Sequence, residues 1–244
     1  MARIEAILFD LGDTLLDFGA VDTIDLFEQG ARLTYEYLLS LNQPLPSFPT
    51  YHRRLLRAIR WAYFKSDLVR REFDSMKVLR RMSRQMGHRL SDDHYAELVW
   101  LWYEPLSLQA KIEPGLDQVL RDLAARGLKL GIISNTFIPA AVMDRHLARE
   151  GLLELLPYRI YSCDVSVRKP HPKIFKAACG RVGSHASQVM FVGDLPKADV
   201  YGAKRAGMIA VLKDPTGKRP PYRVRPDHTI ATMAELPAVV AKYL

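Results

Sequence analysis

Residues 7–18 read Ile7-Leu8-Phe9-Asp10-Leu11-Gly12-Asp13-Thr14-Leu15-Leu16-Asp17-Phe18. A short apolar run, Ala6 to Phe9, stops on Asp10, and a glycine, a second aspartate and a threonine follow at once. A short apolar run bounded by turn-forming residues reads as a buried strand. It would carry Asp10 to the strand's carboxyl end, where open parallel sheets bind their ligands.

The chain changes character on either side of residue 112. From about Val21 to Tyr103 the pattern is helical, with Leu55, Leu56, Ile59, Ala62 and Tyr63 at spacings of three and four. Asn42 to Pro49, with three prolines, reads as a loop inside that region. Ser91-Asp92-Asp93 reads as a helix start, with Tyr95, Leu98, Val99 and Trp102 on one face. Trp100 and Trp102 lie two apart, so at most one of them is expected to face a core.

After Glu113-Pro114-Gly115 the rhythm becomes strand–helix. Strands are predicted at 128–133, 159–161, 189–192, 209–212 and, shorter, at 229–230. Helices are predicted at 116–126, closed by Gly127, at 172–182, and at 199–206, ended by Gly207. Alternation of this kind predicts an α/β fold: a Rossmann-like parallel sheet with helices on both faces. The helical stretch is an insertion after the first strand. Residues 1–16 and 112–244 are therefore expected to form the core domain, and residues 17–111 an all-helical insert.

Composition bounds the rest. The 244 residues are 48% apolar and 25% charged, as in an ordinary globular protein. No apolar run approaches the roughly 20 residues that span a bilayer, so no membrane partner is expected. Met1-Ala2-Arg3-Ile4 has no signal-peptide layout, and the expected location is the cytoplasm. Cys163 and Cys179 are too few for a disulfide scaffold and lack zinc-ligand spacing, so both are expected to be buried or idle thiols.

The net charge is +8, and the excess is concentrated. Residues 51–90 hold twelve Arg and Lys, Arg70 among them, against Asp67, Glu72 and Asp74. The plain reading is solvated helix faces; the sharper one is a field that attracts anionic substrates, or weak nucleic-acid affinity. With no aromatic-interleaved RNA motif and no zinc finger, nucleic acid is not the expected partner. No motif fixes the oligomeric state.

Three predicted strand ends carry polar clusters: Asp10, Ser134-Asn135 and Asp194. A fourth polar group, Lys169, comes after the third strand and precedes a proline, which favours extended backbone. His171, next in that loop, reads as a helix-start residue rather than a ligand. If these loops converge, the site holds Asp10, Asp194, Asp199 and one lysine, with Asp13 close by. Crowded carboxylates take up protons or a cation. Hard oxygen ligands suit Mg²⁺, and a lysine beside them suits a phosphate. The set is suited to phosphoryl transfer, in which a carboxylate can itself be the nucleophile.

The order of these motifs resembles the haloacid dehalogenase superfamily, in its branch with a helical cap inserted after the first core strand. The matching pieces are Asp10-Leu11-Gly12-Asp13-Thr14, Gly131-Ile132-Ile133-Ser134-Asn135, Arg168-Lys169-Pro170, and Phe191-Val192-Gly193-Asp194 with Asp199. The resemblance implies a Mg²⁺-dependent phosphatase acting on a small phosphorylated metabolite through an aspartyl-phosphate. It implies Asp10 as nucleophile, and Asp10, the Gly12 carbonyl and Asp194 as metal ligands, supported by Asp199. It implies Ser134 and Lys169, helped by Asn135, as phosphate-binding groups. The helical insert would be the cap that closes over substrate.

One position departs from the family. Its phosphatases carry a general acid and base two residues after the nucleophile, where this chain has Gly12. Three readings follow: the substrate or water carries the proton, Asp13 takes the acid role, or turnover is negligible and the fold serves binding or regulation. Dehalogenation is a weaker alternative, because the chain keeps the carboxylates that serve a metal.

Overall fold

The computed structural model describes residues 3–69 and 71–244. Arg70 of the basic segment, and Met1 and Ala2 of the expected core, lie outside the described residues. The chain divides into two compact units: residues 1–17, 111–135 and 147–244, and residues 18–110 with 136–146.

The first unit is built on β1 (Ala6–Phe9). A two-stranded antiparallel ribbon, β2 (Leu16–Asp17) with β3 (Lys111–Ile112), pairs the segments that leave for and return from the helical insert. The remaining strands are β4 (Lys129–Ser134), β5 (Tyr158–Tyr161), β6 (Val189–Gly193), β7 (Ile209–Lys213) and β8 (His228–Ile230). They join β1 in one sheet of order β5-β4-β1-β6-β7-β8, every neighbouring pair parallel. β1 and β6 are buried at every residue, which is why they read as unbroken apolar runs rather than alternating ones.

The chain runs from β1 outward through β4 to β5, then crosses to β6 and runs outward the other way. The reversal falls between β1 and β6, so the carboxyl ends of these two strands flank the crevice where such sheets bind ligands.

In the second unit, α1 (Thr23–Ser40), α2 (Phe48–Val69), α3 (Ser75–Gln85) and α4 (Asp92–Ser107) pack together. α2 starts inside the expected loop because Pro49 sits in its first turn, where a missing N–H costs nothing. Ser91 caps α4 in a reciprocal box with His94. Gly30 of α1 lies against the Trp102 carbonyl, with no room for a Cβ.

Trp100 and Trp102 are both buried, at 3% and 4% exposure, which corrects the expectation that at most one would be. The reason is the segment 136–146, which the sequence reading had placed with the core. Phe137 stacks on Phe73 at 4.8 Å and lies 6.1 Å from Trp102, while the Arg145 guanidinium covers the Trp100 ring at 4.1 Å. α4 is thus covered on more than one side. The basic segment does read as a solvated face: Arg53, Arg54, Arg57 and Arg60 on α2 are exposed, and no ion pair engages them among the described residues.

Back in the first unit, α5 (Leu116–Ala125) packs on β4 and on α10 (Leu236–Val240). α6 (Ala140–Arg149), most of which belongs to the second unit, precedes β5 in sequence, and the single turn α7 (Ser162–Val165) follows it. α8 (Pro172–Val182) and α9 (Gly202–Ala206) cover one sheet face, with Phe175 edge-on to Phe191 at 5.5 Å. Around 199 the expected single helix is instead a π-helical turn, Pro196–Tyr201, followed by α9. No helix among the described residues is long and apolar enough to cross a membrane. Neither Cys163 nor Cys179 forms a disulfide.

Candidate active site

Asp10 stands one residue past β1, with its N–H donating to the Val192 carbonyl of β6 at 2.8 Å. The strand pairing therefore sets where its carboxylate points. Oδ1 accepts the Leu11 N–H at 2.7 Å. The Leu11 carbonyl then accepts from both Leu15 and Leu16, closing a tight turn over residues 11–16. Asp13 occupies the one left-handed position of that turn, φ 55°, a conformation aspartate tolerates better than most residues. Its N–H donates to the Leu16 carbonyl at 2.7 Å and its side chain faces solvent. Gly12 bridges to Leu16.

Lys169 is buried between two carboxylates. Its Nζ lies 2.7 Å from Asp10 Oδ1 and 2.8 Å from Asp199 Oδ1. Both contacts are buried ion pairs. Burial alone would lower the Lys169 ammonium, but the Asp10 and Asp199 charges outweigh it and leave its pKa raised. The backbone of Lys169 is fixed by Asn135, which receives its N–H at 2.7 Å on Oδ1 and donates to its carbonyl at 3.1 Å from Nδ2. Both polar atoms of Asn135 are thus committed to positioning the lysine. Ser134 ends β4, buried. His171 caps α8 by accepting the Lys173 N–H, as its helix-start reading requires.

Asp194 follows β6 and is 2% exposed. Asp199 is fully buried, held by the π-helical turn, and its Oδ2 accepts the Leu195 N–H at 2.8 Å. The approach needs a glycine at 193: a Cβ there would lie 2.5 Å from the Asp199 carboxylate. Asp10, Asp194 and Asp199 bring one carboxylate oxygen each within 4.8 Å of one another.

Burial, opposed by Lys169 and reinforced by Asp199, pushes the Asp10 carboxyl up to about 7. Burial likewise raises Asp194, against the Arg219 hydrogen bond. Three hard carboxylate donors in this spacing fit a small divalent cation.

Thr14 lies in the first motif, which assigns it no role, and three further residues at this edge, Lys213, Asp214 and Arg219, lie outside every motif. Thr14 Oγ1 donates to Asp194 Oδ1 at 3.5 Å. Lys213, the last residue of β7, donates to the Thr14 carbonyl at 2.8 Å and pairs with Glu113 at 3.2 Å, holding the 11–16 turn in place. Asp214 and Arg219 lie in the loop beyond it, and Arg219 Nη1 sits 2.5 Å from Asp194 Oδ2. Lys213 and Asp214 were within reach of the strand-end rule. Arg219 was not, since it follows no strand directly.

A family model described as haloacid dehalogenase-like hydrolase matches residues 4–207. Glyceraldehyde 3-phosphate phosphatase of Pyrococcus abyssi is 31% identical over 208 residues, 85% of this chain and 80% of that protein. Phosphoglycolate phosphatase of Yersinia pseudotuberculosis is 30% identical over 210 residues, 84% of this chain and 78% of that protein. A 2-haloacid dehalogenase from Pseudomonas syringae pv. Tomato superposes with a TM-score of 0.67 at 24% identity, covering 99% of this chain and 100% of that one. At that identity the likeness speaks to the fold.

Proposed function

The chain belongs to the haloacid dehalogenase-like hydrolases, and from that premise we propose that it is a Mg²⁺-dependent phosphoric monoester hydrolase of small phosphorylated metabolites, with Asp10 as nucleophile. The observation that carries this reading is the buried array itself: Lys169 held between Asp10 and Asp199, with Asp194 beside them. Two of the relatives are named as phosphatases of small phosphate esters, glyceraldehyde 3-phosphate and phosphoglycolate, and a small anionic phosphorylated substrate suits a site in which a cation and Lys169 receive the phosphate.

In this mechanism an Asp10 carboxylate oxygen attacks phosphorus. The ester P–O bond breaks, and its electron pair leaves on the alcohol oxygen. Water then attacks the same phosphorus, the bond to Asp10 breaks, and phosphate departs. Lys169 and Ser134 hold the phosphoryl oxygens, and Asn135 holds Lys169. Asp10, Asp194, Asp199 and the Gly12 carbonyl would hold Mg²⁺, which supplies positive charge to the transferring group. Residues 17–111 are the cap domain of this reading, and residues 1–16 with 112–244 its core.

Gly12 has no group to protonate the leaving oxygen. Asp13 is exposed, its backbone takes the left-handed position of the loop, and its charge is felt at Asp194; this reading does not give it the acid role. The proton on this account comes from water or from the substrate, and the chain forgoes acid–base help worth about 10²–10⁴ in rate. It should therefore prefer esters whose alcohols leave readily.

The test is phosphate release across a panel of phosphate esters with Mg²⁺. Wild type should release phosphate, EDTA and Asp10→Asn should abolish release, and Gly12→Asp should accelerate the esters of poor leaving groups. Asp13→Asn should leave the rate within a few fold. No release from any ester would favour the binding or regulatory reading that Gly12 keeps open, and a collapse in Asp13→Asn would place the acid at Asp13.

A further inference from the structure

The loop after β7 puts a guanidinium on a carboxylate that the proposed function needs for metal. Arg219 Nη1 donates to Asp194 Oδ2 at 2.5 Å and also to the Asp194 backbone carbonyl. Asp194 Oδ1 meanwhile has the Thr14 hydroxyl at 3.5 Å. Both oxygens of this buried side chain thus face donors, and the stronger one is a full positive charge.

The backbone that delivers Arg219 is rigid. Asp214 Oδ1 accepts from the Thr216 N–H at 3.2 Å, the Thr216 hydroxyl at 2.8 Å and the Gly217 N–H at 3.0 Å, while Oδ2 accepts the Arg219 N–H at 2.8 Å. These bonds, the Arg219 N–H foremost, hold the Asp214 carboxyl below the ordinary aspartate range. Gly217 supplies the positive φ that the turn requires. The Arg219 side chain, by contrast, is 32% exposed, against 3% for the Asp194 side chain. Its head can rotate to solvent while the loop stays folded.

We propose that Arg219 is a built-in competitor for the metal site. In the metal-free chain it satisfies Asp194, and a divalent cation must displace it to take the same carboxylate. It would thereby stabilise the cluster without metal and weaken metal binding. This proposal rests on the assignment of Asp10, Asp194 and Asp199 as Mg²⁺ ligands. A charge-assisted hydrogen bond that must be broken lowers the apparent affinity by roughly tenfold or more.

The experiment is calorimetric titration with Mg²⁺ alone, and melting with and without Mg²⁺, on wild type, Arg219→Gln, Asp214→Ala and Asp194→Asn. Arg219→Gln should bind Mg²⁺ roughly tenfold more tightly than wild type, melt lower without metal, and gain more from Mg²⁺. Asp214→Ala, which frees the loop without touching Asp194, should move in the same direction. Asp194→Asn should bind at least tenfold more weakly, which identifies the titrated site. Equal or weaker Mg²⁺ binding by Arg219→Gln, with wild type and Asp194→Asn behaving as stated, would overturn the competitor alone. Absence of Asp194-dependent Mg²⁺ binding in wild type would overturn the metal assignment and the competitor with it.

Discussion

Lys169 is the residue on which the site's electrostatics turn. Removing one member of a buried ion cluster leaves its partners uncompensated and costs about 3–5 kcal/mol. Lys169→Met should therefore melt well below wild type without metal, and Mg²⁺ should recover part of the loss by neutralising Asp10 and Asp199. Its phosphate release should fall by at least about 10² even with Mg²⁺, because a charge aimed at the transferring group is gone. Melting curves and release rates on the same preparation check both parts. A variant as stable and active as wild type would remove Lys169 from the site.

Asp10 makes the pH dependence specific. Folding raises its carboxyl from 3.8 to about 7, so between those values the native chain keeps a proton that the unfolded chain has lost. The native state binds more protons in that window, and stability falls as pH rises through it. The raised Asp194 adds with the same sign. Mg²⁺ must displace these protons, so its affinity should climb with pH up to about 7 and then level off. Titrations between pH 5 and 8.5 measure this directly, and an affinity independent of pH would contradict the assigned burial.

At the scale of elements, the site is a product of where strands end. β1 and β6 are adjacent and parallel, so Asp10 and Asp194 emerge side by side, and β4 places Ser134 and Asn135 next to them. The π-helical turn after β6 brings Asp199 back over Gly193 at a distance that excludes any side chain. Gly193→Ala should cost about 1–3 kcal/mol as overpacking and should displace Asp199 from Lys169. The expected result is a lower melting temperature together with weaker Mg²⁺ binding. Unchanged values in both would mean that the turn can shift at no cost.

Much of this was legible in the sequence, because strand runs and the polar residues that end them are local signals. Asp10, Ser134, Lys169, Asp194 and Asp199 each sit within a few residues of the element that positions them. Asn135 was legible as a site residue, but not in its work of gripping the Lys169 backbone 34 residues away. Lys213 holding the Thr14 carbonyl, and Arg219 meeting Asp194, join segments 199 and 25 residues apart. Such pairings depend on which strands neighbour one another, which periodicity does not encode. The segment 136–146 follows β4 in the strand–helix rhythm, and its partners Phe73 and Trp102, distant in sequence, are what group it with the helical unit.

For the whole molecule, the two units divide the work by composition. The unit with the parallel sheet holds every residue assigned to the chemistry, whereas the helical unit holds the concentrated positive charge. That separation suits a hydrolase whose reaction is common to its family and whose substrate choice is set elsewhere. The central claim is that the phosphoryl group passes through Asp10. Acid quench of the Mg²⁺-loaded protein during turnover of radiolabelled acetyl phosphate tests it most directly. The account predicts label retained on the wild-type chain, base-labile and confined to the peptide that contains Asp10, and none on Asp10→Asn. Label on another residue, or equal turnover by Asp10→Asn, would contradict it.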